Sequence, residues 1–339
     1  NSGNSGGPVC NGDGDSSEVI GIAFQGYAGS NVENQGHMVP APLIRHFLEG
    51  MTREQSGLPS LGIHIQYMQS PALRASRGME SAQETGVLVS HVEYGSSADG
   101  VLLAGDVLLE IGGVAIANDG TARHYGFRLA LIALVHSRFI GDRIQVKVLR
   151  AGERVTLEVE LRQTRALVPR GQYDVLPPYA ILGGMLFQPL SLEYLQSWGD
   201  LKDAPTHLMA LYYDAVASAE CREIVVLTQI LADEANIGIY FDHVGLDVVT
   251  HVNRIQIRDL AHLLETAEAS IRAGEPFVEF RIARGAHAQN VVLEVSELAL
   301  SRLRMRERYQ LPADASRQYC DDFSGLWDLL STADAAESI

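Results

Sequence analysis

The chain has 339 residues, 46% hydrophobic and 20% charged, the proportions of a globular protein long enough for two or three domains. A net charge of −16 argues against nucleic acid or an anionic membrane surface as the main partner. Cys10, Cys221 and Cys320 lie far apart with no Cys-x-x-Cys spacing, so neither a zinc site nor a disulfide framework is indicated, and residues 176–192, the longest uncharged apolar stretch, are broken by prolines and too short to span a bilayer.

Gly3-Asn4-Ser5-Gly6-Gly7-Pro8 opens the chain; on composition alone it is a Gly/Ser turn. An acidic turn, Asn11 to Glu18, follows. Its Asp13, Asp15 and Glu18 lack the spacing and final bidentate Glu of a calcium loop, so a solvated turn is expected. Val19–Phe24 and Asn34–Pro40 read as strands. Pro42–Gly50 reads as a short helix, with proline at its start and Leu43, Phe47 and Leu48 on one face. His37 and His46, the histidines nearest Ser5, are read as surface or half-buried residues.

Thr52 to Pro59 is a polar connector. From Leu58 to about Gln163 the expected elements are strand 61–68, a helix from Pro71 capped by Ser70, strands 86–93 and 106–111, and a helix over 126–137. A hairpin over 143–162 turns at Arg150-Ala151-Gly152-Glu153. Arg165 to Pro178 is a proline-bearing linker. A third unit, 179–311, offers strand 180–187, a helix near 191–198, strands 223–231 and 245–252, and helix 258–273. Strands 276–284 and 289–295 and helix 296–309 complete it. Val248–Asn253 echoes Val107–Gly112, each leading towards a helix, which reads as an internal duplication. Arg302, Arg304, Arg306 and Arg308 on the last helix read as an internal ion-pair face rather than a nucleic-acid patch. His243, His251 and His262 share no ligand spacing. In the tail, Trp327 and Leu329-Leu330 in an acidic Ser/Ala-rich context fit either a docking helix or disordered chain.

The opening Gly-Asn-Ser-Gly-Gly-Pro run is similar to the nucleophile loop of chymotrypsin-fold serine proteases as the Deg/HtrA branch writes it. The second unit resembles the PDZ domain that follows the protease in that family. The resemblance rests on Leu61-Gly62-Ile63, Gly86-Val87-Leu88-Val89, Gly95-Ser96-Ser97-Ala98, Gly105-Asp106-Val107-Leu108 and Gly112-Gly113-Val114-Ala115-Ile116. Residues 180–190 and 230–238 resemble the extended second PDZ domain of plant-type, plastid members.

This resemblance implies a mainly β fold with α: the C-terminal remnant of a chymotrypsin-like β-barrel (1–50), a PDZ domain (58–163), a second PDZ-like domain (179–311) and a tail (312–339). It implies a serine endopeptidase of protein quality control, degrading damaged or unfolded proteins without ATP. Ser5 would be the nucleophile, with the amides of Gly3 and Ser5 as the oxyanion hole and Asn4 in the oxyanion loop. Ile22, Ala23 and Phe24 would shape a specificity pocket for a small or medium apolar side chain. In this fold His and Asp precede the serine in chain order, so both are expected upstream of Asn1, and the chain by itself is expected to be an inactive fragment. Ser60, Leu61, Gly62 and Ile63 would be the PDZ carboxylate loop and Ile63–Gln66 the strand offered to a peptide. In the second PDZ-like domain, Leu182-Gly183-Gly184-Met185 is the candidate loop. Pro189 removes an amide donor from the adjoining strand, so contacts within the protein are expected there instead of free peptides. No metal or cofactor is implied. The implied partners are unfolded or damaged substrates, C-terminal peptides and further copies in a trimer-based assembly; the implied compartment is the plastid, with the nucleus as alternative. The rival reading is a non-catalytic PDZ scaffold whose protease remnant is structural.

Overall fold

The computed structural model describes residues 5–12, 17–29, 32–53, 57–79, 83–163, 166–172, 175–240, 247–284 and 287–331. Gly3, Asn4, Asp13, Asp15 and His243 lie outside the described residues. The fold is mainly β with interspersed helices, in two units, Asn1–Thr164 and Arg165–Ile339.

In the first unit, β1 (Pro8–Asn11), β2 (Glu18–Gly29) and β3 (Val32–Pro40) form an antiparallel sheet in that order, and α1 (Ala41–Gly50) follows. Proline at the first turn suits α1, because the first amides of a helix have no internal partner. No residue of α1 is buried.

A larger antiparallel sheet comes next. It comprises β4 (Ile63–Tyr67), β5 (Val87–Val92), β6 (Val107–Ile111), β10 (Arg143–Arg150) and β11 (Glu153–Glu160) in the order β11-β10-β6-β5-β4, with β7 (Val114–Ala115) paired to β6. Val87, Val89, Leu108, Val146 and Val148 bury one face against Leu134 and Val135 of α3 (Ile132–His136). On the other face Leu88, Val107, Leu109 and Leu149 pack with Met68 and Met79 around α2 (Pro71–Ser76). Ser70 caps α2, its hydroxyl accepting from the Leu73 amide at 3.4 Å.

The expected helix over 126–137 is corrected. Residues 127–130 are instead β9 (Phe127–Ala130), paired with β8 (Thr121–His124), and only 132–136 are helical. Tyr125 and Gly126 both take positive φ (51° and 80°), the torsions of a two-residue hairpin turn. Phe127, Leu129 and Leu131 alternate as a strand does, whereas Leu131, Leu134 and Val135 fit a helix. Read together, the two periods merged into one helix.

The second unit holds β12 (Ala180–Leu182), β13 (Met185–Pro189), β14 (Val225–Ile230), β15 (Val248–Val252), β16 (Ile255–Gln256), β17 (Phe277–Arg284) and β18 (His287–Glu294). They form one sheet in the order β12-β13-β14-β15-β17-β18, with β16 beside β15. Its helices are α4 (Leu192–Gln196), α5 (Thr206–Asp214), α6 (Leu260–Arg272), α7 (Val295–Tyr309), α8 (Arg317–Asp322) and α9 (Ser324–Leu329). Phe187 and Phe280 stack at 5.1 Å in a core shared with Leu260, Leu263 and Leu264 of α6.

Two readings change here. Strand 180–187 is split into β12 and β13 by a turn at Gly183-Gly184, so Leu182–Met185 is a tight hairpin rather than a carboxylate loop. A Cβ on Gly183 would lie 2.4 Å from Leu293 Cδ1, and one on Gly184 2.4 Å from the Leu231 carbonyl oxygen, so only glycine fits. The tail resolves towards docking: Tyr319, Leu326, Trp327 and Leu330 belong to the core.

The arginine row on α7 is an internal ion-pair face. Arg302 and Arg306 both bind Asp314, Arg304 holds Asp233 by two hydrogen bonds of 2.8 and 2.7 Å, and Arg308 donates to the Ala232 carbonyl.

Candidate functional site

Ser5 sits on an exposed turn at the start of β1, and Gly6 beside it has a φ of 85°, which a side chain would resist. The Gly6 amide donates to the Ala23 carbonyl at 2.8 Å, and the Ala23 amide returns a bond to Gly7 at 2.9 Å. These bonds bring the Ser5 turn onto residues 22–24 of β2, so Ser5, Ala23 and Phe24 are neighbours in space. The Ser5 hydroxyl donates to the Phe24 carbonyl at 3.4 Å, a group that cannot take up its proton. Phe24 is exposed, whereas Ile22 lines an apolar cavity of about 640 Å³ with residues of α1 and Phe139. His46 belongs to that packing: its ring stacks on Phe139 at 4.1 Å, and the Arg53 guanidinium covers the same ring at 3.6 Å. Burial, and then the nearby His46, lower the pKa of His136 at the end of α3.

The Ser60–Ile63 loop is held from behind by residues far away in sequence. The Ser60 amide donates to the Arg162 carbonyl at 3.0 Å, and the Ser97 hydroxyl, itself accepting from the Arg162 amide at 2.7 Å, donates to the Ser60 carbonyl. The Leu61 carbonyl accepts from Ala98, and that of Gly62 accepts from Glu93 at 2.9 Å and Ser96 at 3.3 Å. All three carbonyls therefore point inward. The Leu61 amide has no partner among the described residues, and that of Gly62 donates to the Ser60 hydroxyl at 3.1 Å. Gly62 has a φ of 67°.

Because Glu93 bonds to Gly62, ladder alternation turns the amide and carbonyl of Ile63 away from β5. The same holds at Ile65, whose cross-strand neighbour Val89 spends both its backbone groups on Asp106 and Gly105. No strand pairs with the outer side of β4 among the described residues. The result is an inward-facing set of carbonyls, amide donors at one end, and an unpaired strand edge leading away from them. That arrangement can accept a chain terminus and extend the sheet by one strand. Sequence reasoning placed the loop but missed its support from Ser97 and Arg162. The Gly-Ser-Ser-Ala run was the available signal.

In the second unit β13 holds the position that β4 holds in the first, but β12 pairs along it from Ala180–Phe187 to Leu182–Met185. The outer side of β12 is covered in turn. The Ile181 amide donates to the Asp314 carbonyl at 2.8 Å, and Tyr179 and Ser316 exchange bonds of 3.0 Å. Pro189 still pairs within the sheet, opposite Val225. Among the described residues no cluster of His, Cys, Asp or Glu is placed to hold a metal ion, and no helix is long and apolar enough to cross a membrane.

Comparison with known proteins agrees with this geometry. A PDZ domain family model matches residues 59–161, and a second PDZ domain model matches residues 168–318. The chain is 35% identical over 267 residues to "Protease Do-like 2, chloroplastic" of Arabidopsis thaliana, covering 78% of this chain and 42% of that protein. It is 30% identical over 329 residues to "Putative protease Do-like 13" of the same plant, covering 96% and 60%. Against "Putative protease Do-like 3, mitochondrial", also from Arabidopsis, it is 32% identical over 276 residues, covering 79% and 45%. The chain thus spans roughly half the length of these relatives. The chain thus carries two PDZ domains, in sequence and in structure, and its relatives are Do-like proteases of the Deg/HtrA type.

Proposed function

We propose that this chain is the substrate-capturing part of a serine endopeptidase that degrades damaged or unfolded proteins, with Ser5 as its nucleophile. The observation that supports the reading is the juxtaposition of an exposed serine turn, rich in glycine, with the β2 segment 22–24 in a family of proteases. In this reading residues 1–50 are the last strands of the protease domain. The amides of Gly3 and Ser5 stabilise the oxyanion, Asn4 shapes that loop, and Ile22, Ala23 and Phe24 border the pocket for the side chain before the cut. A His general base and its Asp partner come from sequence ahead of these residues.

The first PDZ domain, residues 58–163, captures hydrophobic C-terminal peptides through Ser60–Ile63 and the β4 edge. The second, residues 179–311, serves contacts within the protein because its equivalent edge is filled. Assembly is trimer-based. The plastid is the proposed compartment, on the chloroplastic relative, with the mitochondrion as the alternative raised by another; a nuclear location draws no support from these names.

The test is cleavage of unfolded casein by a protein in which this sequence follows one carrying the His and Asp. Ser5→Ala should lower turnover by about 10⁶-fold, as loss of a triad serine does elsewhere. Unchanged cleavage in that variant, or none in the parent, would leave the non-catalytic scaffold as the better reading.

A further inference from the structure

The second unit carries a polar cavity away from the edge that β12 fills. His251 on β15, Arg281 on β17 and Asn290 on β18 stand directly opposite one another across three adjacent strands. They lie on the face away from the core, since Val278, Phe280 and Ile282 are the buried residues of β17. With Arg254, Glu279 and Ala288 they line a cavity of about 480 Å³. Arg254 is presented by the turn between β15 and β16, where Asn253 and Arg254 have φ of 45° and 68°. That turn is fixed: Asn253 exchanges bonds of 2.8 and 2.7 Å with the Glu279 backbone and reaches the Ser270 hydroxyl at 2.8 Å. The His251 ring is oriented by Thr250, whose hydroxyl lies 2.9 Å from Nδ1 and donates to the Arg281 carbonyl at 3.1 Å. With that hydroxyl already donating to Arg281, Nδ1–H donates to Thr250, and Nε2 is left as an acceptor, suited to the P–OH of a hydrogen phosphate.

The charges here are unusual for so acidic a chain. Elsewhere in the unit Arg222, Arg284, Arg302, Arg304 and Arg306 each hold a carboxylate, and of those that do not, Arg308 donates to the Ala232 carbonyl and Arg170 covers the Tyr212 ring. Among the described residues Arg254 and Arg281 hold none, and Glu279, the carboxylate in the lining, pairs with neither. Two guanidinium forks with an amide and an imidazole beside them match a compact dianion. One carboxylate would satisfy only one fork.

We infer that this cavity on the outer face of the second PDZ sheet binds a phosphate group, held by Arg254 and Arg281 and oriented by Asn290 and His251. The inference stands apart from the proteolytic reading. Its test is calorimetric titration of the intact chain with inorganic phosphate and, separately, with O-phosphoserine at matched ionic strength. Saturable binding is expected, weakened about tenfold or more in Arg281→Ala and in Arg254→Ala, the loss of a charge-assisted hydrogen bond. Glu279→Gln should bind more tightly, because it removes a like charge from the site. Tighter binding of O-phosphoserine assigns the site to a phosphate ester; tighter binding of inorganic phosphate assigns it to the free ion. Both arginines are exposed, so unchanged melting temperatures are expected and confirm folded variants. Absence of saturable binding by both probes, or equal affinity in parent and Arg281→Ala, would overturn the assignment.

Discussion

The first PDZ sheet stops at β4, directly after the Ser60–Ile63 loop, whereas the second continues past the equivalent strand, β13, to β12. The strand orders otherwise correspond: β11-β10-β6-β5 in one, β18-β17-β15-β14 in the other. An unpaired strand edge exposes donors and acceptors that must be covered, blunted or used. In the second unit the chain covers it with its own residues 180–182 and seals that strand with residues 314–316. Among the described residues the first unit leaves the edge unpaired, with amide donors at its end. The same sheet thus leaves its edge strand without an outer partner in one copy and fills that edge with its own chain in the other. What separates them is a three-residue strand and a helical tail.

That difference makes the tail the most sensitive point of the second unit. Trp327 is 5% exposed, and its indole N–H donates to the Tyr319 carbonyl at 3.1 Å. Trp327→Ala should cost about 3–5 kcal/mol, the usual range for emptying a buried large aromatic site. Both tryptophans, Trp198 and Trp327, lie in the second unit, so Trp198 fluorescence in a urea titration reports on that unit in the variant. A loss under 1 kcal/mol (about fivefold in the folding equilibrium) would mean that the tail does not hold the covered edge.

Acid should separate the units next. Burial alone would raise the Asp233 pKa, but hydrogen bonds from Arg304 and the Ala235 amide, with the charge of Arg304, outweigh it and hold the value at about 2. A carboxyl depressed below its unfolded value of about 3.9 stabilises the fold above that pH, and the contribution fades as pH falls towards 2. The expected loss is roughly 2–3 kcal/mol, seen as a tryptophan-detected urea midpoint that falls between pH 4 and pH 2. Asp233→Asn should remove most of that slope.

In the first unit the matching perturbation acts on binding. Proline is tolerated on an edge strand where its missing amide faced outward. Ile65→Pro should therefore keep the fold but weaken a hydrophobic C-terminal peptide about tenfold, the value of one backbone hydrogen bond. Fluorescence anisotropy with a labelled peptide measures it. An unchanged affinity would place the peptide somewhere other than β4.

Much of this contrast is legible in the amino-acid sequence, and its decisive part is not. The Ser70 cap, the hairpin at Ala151-Gly152 and the inward arginines of α7 follow from local rules, because the interacting groups are near in sequence or lie on one helix face. The division of 180–187 into two strands was hidden, since two glycines between apolar residues also fit a flexible loop. What fixes them as a turn is Leu293 and Leu231, distant in sequence. Thr206–Asp214 gives little helix signal in sequence, having a weak apolar stripe and no side-chain cap. At the candidate site the Leu-Gly-Ile run was visible, but its buttress depends on Ser97 and Arg162, 37 and 65 residues apart from their partners. Contacts of that span leave no periodic trace.

The smallest effect bears on how the open edge is kept ready. Ser60 occupies the Gly62 amide at 3.1 Å, so an arriving carboxylate must displace a hydroxyl to use that donor. If the hydroxyl merely shields the amide, Ser60→Ala should raise peptide affinity by about two- to fivefold, the net worth of a neutral hydrogen bond no longer broken on binding. If it turns instead to donate to the carboxylate, the same variant should bind more weakly by a similar factor. The backbone bonds of Ser60 to Arg162 and Ser97 do not involve the side chain, so the loop should keep its shape in either case. The sign of the change decides between the two, and a peptide amidated at its C-terminus is the control, because with no carboxylate to capture it should bind parent and variant alike.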